Sequence, residues 1–102
     1  MALPMALMIS SAIEAKIGGA DHGSVTRKEV EECFANHDGR YCFEQRQEHL
    51  DDDGNPTPWF VGETNHLRRL KIMFVLRDGD IYLKSAYPAT DRVAEIYARH
   101  AK

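Results

Sequence analysis

Asp78-Gly79 lies directly between two β-rich runs, Leu70–Leu76 and Ile81–Tyr87, and restricts the chain more than any other feature. Two-residue hairpin loops favour primed turns, whose positive φ angles suit Asp and Gly. A turn there predicts the pairs Arg77–Asp80, Leu76–Ile81, Val75–Tyr82, Phe74–Leu83, Met73–Lys84 and Lys71–Ala86. Side chains alternate faces along a strand, so this register sorts them into two sets. Leu70, Ile72, Phe74, Leu76, Ile81 and Leu83 form an apolar face that helices must cover. Lys71, Met73, Val75, Arg77, Asp80, Tyr82, Lys84 and Ala86 form a half-polar face, which an antiparallel sheet can leave to water.

The other elements follow from local signals. Ile9, Ala12, Ile13, Ala15 and Ile17 fit a short amphipathic helix ended by Gly18-Gly19. Thr26-Arg-Lys-Glu29 is a capping box for a second helix that buries Val30, Cys33 and Phe34 and stops near Asn36-His-Asp-Gly39. Arg40–Phe43 reads as a short strand, Gln45–Pro58 as a polar loop, and Trp59–Thr64 as another strand. The turn at Asn65-His66-Leu67 admits three or four residues, and that choice decides which face Trp59, Val61 and Glu63 take. Pro88 ends the last strand, and Thr90 caps a helix over Asp91–His100 with Val93, Ile96, Tyr97 and His100 on one face. The expectation is one α+β domain over residues 10–102: two N-terminal helices, an antiparallel sheet of about four strands and a C-terminal helix. Residues 1–9 are read as a loose tail.

The 102 residues, 43% apolar and 28% charged, suit a globular domain rather than a disordered chain. The apolar start is too short for a membrane span and lacks the basic opening of a secretory signal. Two cysteines are too few for a disulfide framework, which points to a cytoplasmic protein with no membrane partner. The five histidines show no metal-ligand spacing, Asp51–Gly54 lacks the alternation of a calcium loop, and no phosphate-binding glycine motif is present. No metal or cofactor is expected. The net charge of −3 conceals a division: residues 21–65 hold eleven acids against four bases, and residues 66–102 hold eight bases against four acids. Such polarity suits a basic partner on one surface and a phosphate on another.

The element order resembles the RelE/ParE superfamily of bacterial toxins, and specifically its BrnT-like branch. The matching pieces are His22-Gly23 before the capped helix Thr26–Phe34, the strands Leu70–Leu76 and Ile81–Ala86, and Ser85-Ala-Tyr-Pro-Ala-Thr90 running into a helix with Tyr97. Small bacterial proteins with a Trp-Phe-x-x-Glu-Thr strand, here Trp59–Thr64, are more similar still. The resemblance implies the toxin of a type II toxin–antitoxin pair, a metal-independent endoribonuclease that inhibits translation and is neutralised by an antitoxin protein. In such chemistry the RNA 2′-hydroxyl attacks its own phosphate while cations stabilise the added charge.

Carried over, the resemblance makes Lys71 and Lys84 the phosphate-stabilising residues and His49 and Glu63 the proton-transfer candidates. Arg46, in the loop with His49, joins Arg77, Tyr82 and Tyr87 as substrate-binding candidates. Relatives carry an arginine where this chain has Tyr87. The alternative is a relative that binds protein without chemistry, either as ParE-like proteins bind gyrase or as a degenerate, non-toxic interaction module.

Overall fold

The computed structural model of the chain describes residues 6–44 and 56–102. In chain order these form β1 (Leu7–Met8), α1 (Ser11–Gly18), a 3-10 turn (Ala20–His22), α2 (Arg27–Ala35), β2 (Cys42–Glu44), β3 (Thr57–Glu63), β4 (Arg69–Arg77), β5 (Asp80–Pro88) and α3 (Asp91–His100). The strands make one five-stranded mixed sheet in the order β1-β5-β4-β3-β2. The α+β class is as expected, but the sheet has a fifth strand, and that strand is parallel. Leu7 and Met8, expected in a loose tail, pair with Ile81 and Tyr82. The Ala6 amide donates to Asp80 Oδ1 at 3.1 Å and Arg27 Nη2 donates to the Leu7 carbonyl at 2.7 Å, which fastens this edge.

Each helix begins on a side-chain oxygen that satisfies a free backbone amide. Ser10 accepts from the Ile13 amide, and Thr90 accepts from the Val93 amide. At α2 the capping box is complete, with Thr26 accepting from Glu29 N and Glu29 accepting from Thr26 N. Glu29 also takes both carboxylate contacts from Arg68 Nη1, at 2.9 and 3.0 Å, and Arg68 Nη2 donates to the Gly23 carbonyl. One guanidinium thus ties the β3–β4 turn to the start of α2. Burial alone would raise the Glu29 carboxyl, but the hydrogen bonds from Arg68 and Thr26 and the Arg68 charge hold it below its ordinary value.

The β4–β5 hairpin forms around Asp78 (φ 54°) and Gly79 (φ 83°), both in the left-handed region that a primed turn requires. The first four expected pairs are present, from Arg77–Asp80 to Phe74–Leu83. A bulge between Met73 and Phe74 then shifts the register, so Met73 pairs with Ser85 rather than Lys84, and Lys71 with Tyr87 rather than Ala86. Lys84 is the extra residue. The shift corrects one face assignment, since Ala86 is fully buried among the core residues, and it sets Tyr87 on the face of Lys71. Period-two alternation carries no trace of an inserted residue, which is why the sequence reading missed it.

The core lies where Phe34 of α2 packs edge-on against Phe60 and Phe74, with ring centroids 5.0 and 5.4 Å apart. Ile17, Val30, Cys33, Leu70, Ile72 and Leu83 complete it. Leu76 was expected beneath the helices but is 59% exposed. It follows Phe74 on this face, next to the hairpin turn at the end of β4. The second face is not simply open either. Trp59, Met73 and Val75 are buried, and Tyr97 of α3 reaches the Trp59 ring at 6.1 Å. The β3–β4 turn settles the facing of β3. Thr64 N donates to Arg68 O, leaving a three-residue loop closed by Leu67 at φ 65°, so Trp59, Val61 and Glu63 share the Lys71 face.

Gly62 lies close against α2 and its own strand neighbour: a Cβ there would lie 2.9 Å from Phe60 Cε2 and 3.1 Å from Cys33 Cβ. Gly62→Ala should therefore cost about 1–3 kcal/mol in urea unfolding. A neutral result would show that this packing yields. Glu29 gives a pH test. Its depressed carboxyl contributes stability that is complete above its ordinary 4.5 and is lost as pH falls through the folded value. Arg68→Met should lower stability at pH 7 and flatten the decline below pH 4.5. An unchanged acid limb would remove Arg68 from the account.

Candidate functional site

Three strands each place one side chain at the centre of the second face. Lys71 of β4 stands opposite Tyr87 of β5, with Val61 of β3 on its other side. Trp59 lies one step further along β3, opposite Met73. The Lys71 ammonium reaches 4.4 Å from the Trp59 ring centroid and 5.8 Å from that of Tyr87. Both distances are within the range where a ring quadrupole attracts a cation, and a desolvated contact is worth about 2 kcal/mol. Trp59 is itself buried, so the partly buried Lys71 chain is held against a fixed surface. The His22 ring comes to 6.5 Å from Tyr87, which adds a histidine the sequence reading did not select.

The remaining expected residues divide by position. Glu63 is exposed and follows Val61 on the Lys71 face, opposite Arg69, whose Nη2 pairs with Asp91 at 2.5 Å. Arg77 and Tyr82 sit at the hairpin end, with the guanidinium 6.0 Å from the Tyr82 ring. Arg77 lies six residue steps along β4 from Lys71, roughly 20 Å of extended chain, so the two cations cannot hold one phosphate. Lys84 is exposed in the bulge. Its expected pairing with Met73 is replaced by that of Ser85. His49 and Arg46 lie outside the described residues.

A half-open cavity of about 440 Å³ lies at the β3 edge, where β2 stops pairing at Trp59 and the chain from Asn36 to Asp38 arches away. Val61, Glu63, Asn65 and Tyr97 contribute to its other walls. Asn36 Nδ2 donates to the Glu63 carbonyl at 2.9 Å and to Asn65 Oδ1 at 3.0 Å, fixing one end. At the other end, Tyr97 donates its hydroxyl to the Arg40 carbonyl at 2.8 Å. Burial and the nearby Asp38 charge push the Tyr97 phenol up to about 12, which keeps it a neutral donor. Asp38 is held below the usual carboxylate range by the Arg40 amide and guanidinium.

His37 forms part of the wall. It stacks on Phe60 with centroids 4.0 Å apart, its side chain is 6% exposed, and its buried Nε2 has no hydrogen-bond partner among the described residues. Burial lowers its pKa; Asp38 pulls the other way and Arg40 adds to the lowering. No signal in the sequence separates this stacked histidine from a surface one.

No family model matches the sequence, and no curated protein or solved structure matches it.

The His37 ring offers a direct test. Its depressed pKa contributes stability that is present above pH 6.5 and is lost as pH falls through the folded value. His37→Phe keeps the stacked ring and removes the orphaned nitrogen. The variant should match or exceed wild-type stability at pH 7.5 and lack the decline that begins below 6.5. Marked destabilisation at pH 7.5 would mean that the imidazole nitrogens make a contact the ring alone does not replace.

Proposed function

We propose that the protein is the toxin of a type II toxin–antitoxin pair and cleaves RNA on the face that carries Lys71. The observation that supports this reading is the Lys71 ammonium set between the Trp59 and Tyr87 rings. A fixed cation beside aromatic surfaces suits single-stranded nucleic acid, because bases stack on rings while the charge meets the phosphate. The surplus of bases in residues 66–102 supplies the field that draws the strand in.

In this reading Lys71 stabilises the charge that builds on the phosphate as the 2′-oxygen attacks the adjacent phosphorus. The 2′-hydroxyl proton passes to the Glu63 carboxylate, diagonally placed on the same face. The bond from phosphorus to the 5′-oxygen breaks, giving a 2′,3′-cyclic phosphate and a 5′-hydroxyl that takes its proton from water. Lys84, Arg77 and Tyr82 contact the strand away from the scission point, and the antitoxin protein neutralises the cations by covering them with acids. His49 and Arg46 keep the roles that the resemblance implies. A second reading, protein binding without chemistry, is favoured by one feature: the Trp59 and Tyr87 rings already engage the Lys71 ammonium.

Purified protein should cut single-stranded RNA in the presence of a chelator and leave cyclic phosphate ends. Lys71→Met should slow cleavage by about 10²-fold or more. Intact RNA with arrested growth of expressing cells would favour a ParE-like protein-binding inhibitor, and intact RNA with normal growth would overturn the toxin reading.

A further inference from the structure

The cavity at the β3 edge uses none of the aromatic residues that flank Lys71, and its chemistry is of the opposite sign. Among the described residues, its formally charged lining groups are the carboxylates of Asp38 and Glu63. Glu32 adds a third close by, with Oε1 accepting from the Asn65 amide at 3.0 Å. Two cations border this region: Arg40 is paired with Asp38 at 3.0 Å, and Arg69 with Asp91. Glu63 has no ion-pair partner among the described residues and is exposed. The local field is registered inside the fold, since burial and then the carboxylates Glu29, Glu32 and Glu63 push the Cys33 thiol up to about 12.

The shape of the cavity narrows the occupant further. It is larger than one side chain needs and falls in the range of preformed ligand sites. One wall is the β3 edge at Val61 and Gly62, beyond the last β2 pair, where an extended backbone can align. Leu67, 77% exposed, forms an apolar lip. Tyr97 and Val61 add apolar surface to the cavity that Glu63 also lines.

We infer that this cavity is a docking site for an arginine side chain on an extended segment of a partner protein, with Glu63 receiving the guanidinium and the β3 edge receiving the segment's backbone. Arginine fits better than lysine because its planar fork matches a carboxylate and can lie along a ring or an edge. The cavity shares Glu63 with the proposed cleavage site, and the docking holds whether or not Lys71 serves RNA cleavage.

The test uses the whole chain, labelled with ¹⁵N, and three blocked tripeptides: acetyl-Val-Arg-Val-amide, acetyl-Val-Lys-Val-amide and acetyl-Val-Gln-Val-amide. The arginine peptide should give saturable amide shifts confined to residues 36–38 and 61–67, with the lysine peptide weaker and the glutamine peptide weakest. Glu63→Gln should raise the Kd of the arginine peptide by at least about tenfold, as loss of a charge-assisted contact does. Equal shifts from the arginine and glutamine peptides would overturn the assignment. So would shifts spread over distant acids such as Asp21 and Glu95, or an unchanged Kd for Glu63→Gln. Because the readout is binding, RNA left uncut by wild-type protein would count against the nuclease reading and leave this result unaffected.

Discussion

The hairpin around Asp78 and Gly79, with the bulge that follows it, sets everything else in the sheet. The turn fixes pairing over the first four residue pairs, and the inserted Lys84 then moves the rest of β5 by one. A one-residue slip exchanges faces, so this insertion is what buries Ala86 and brings Tyr87 opposite Lys71. Without it, Tyr87 would face the helices and a methyl group would stand beside the lysine. The chemistry of the second face therefore depends on an irregularity rather than on regular pairing.

Much of the architecture was legible in the sequence because it rests on local rules. The capping box at Thr26–Glu29, the Thr90 cap and the Asp-Gly turn each satisfy or position backbone groups through neighbouring residues. What was not legible depends on contacts distant in the chain. The Arg68–Glu29 pair joins residues 39 apart, and β1 pairs with β5 across more than seventy. The same holds at the site. Lys71 was identifiable as a cation on the polar face, but its seat against Trp59 depended on a β3–β4 turn whose length the sequence left open. Leu67 in a left-handed conformation closes that turn, which its residue type gives no reason to expect. The cavity and the stacked His37 arise from the arch after α2, where composition alone suggests only a loop.

The charge division along the chain becomes a division in space. Residues 66–102 place Lys71, Lys84 and Arg77 on or beside one sheet face, with Trp59 and Tyr82 as flat companions for two of them. Residues 32–65 gather Glu32, Asp38 and Glu63 around the β3 edge. The two regions meet along β3, where Val61 stands opposite Lys71 and Glu63 comes next on the same face. A single short strand thus carries the boundary between a surface that bears cations and one that bears carboxylates.

The account rests on the position of one ammonium group, and side-chain NMR of the whole chain in solution measures it most directly. The predicted spectrum shows Lys71 ε-methylene protons moved upfield by ring currents, with through-space contacts to both Trp59 and Tyr87. Lys71 ε-protons at random-coil shifts, or backbone contacts that pair Lys71 with Ala86, would contradict the bulged register and the site built on it.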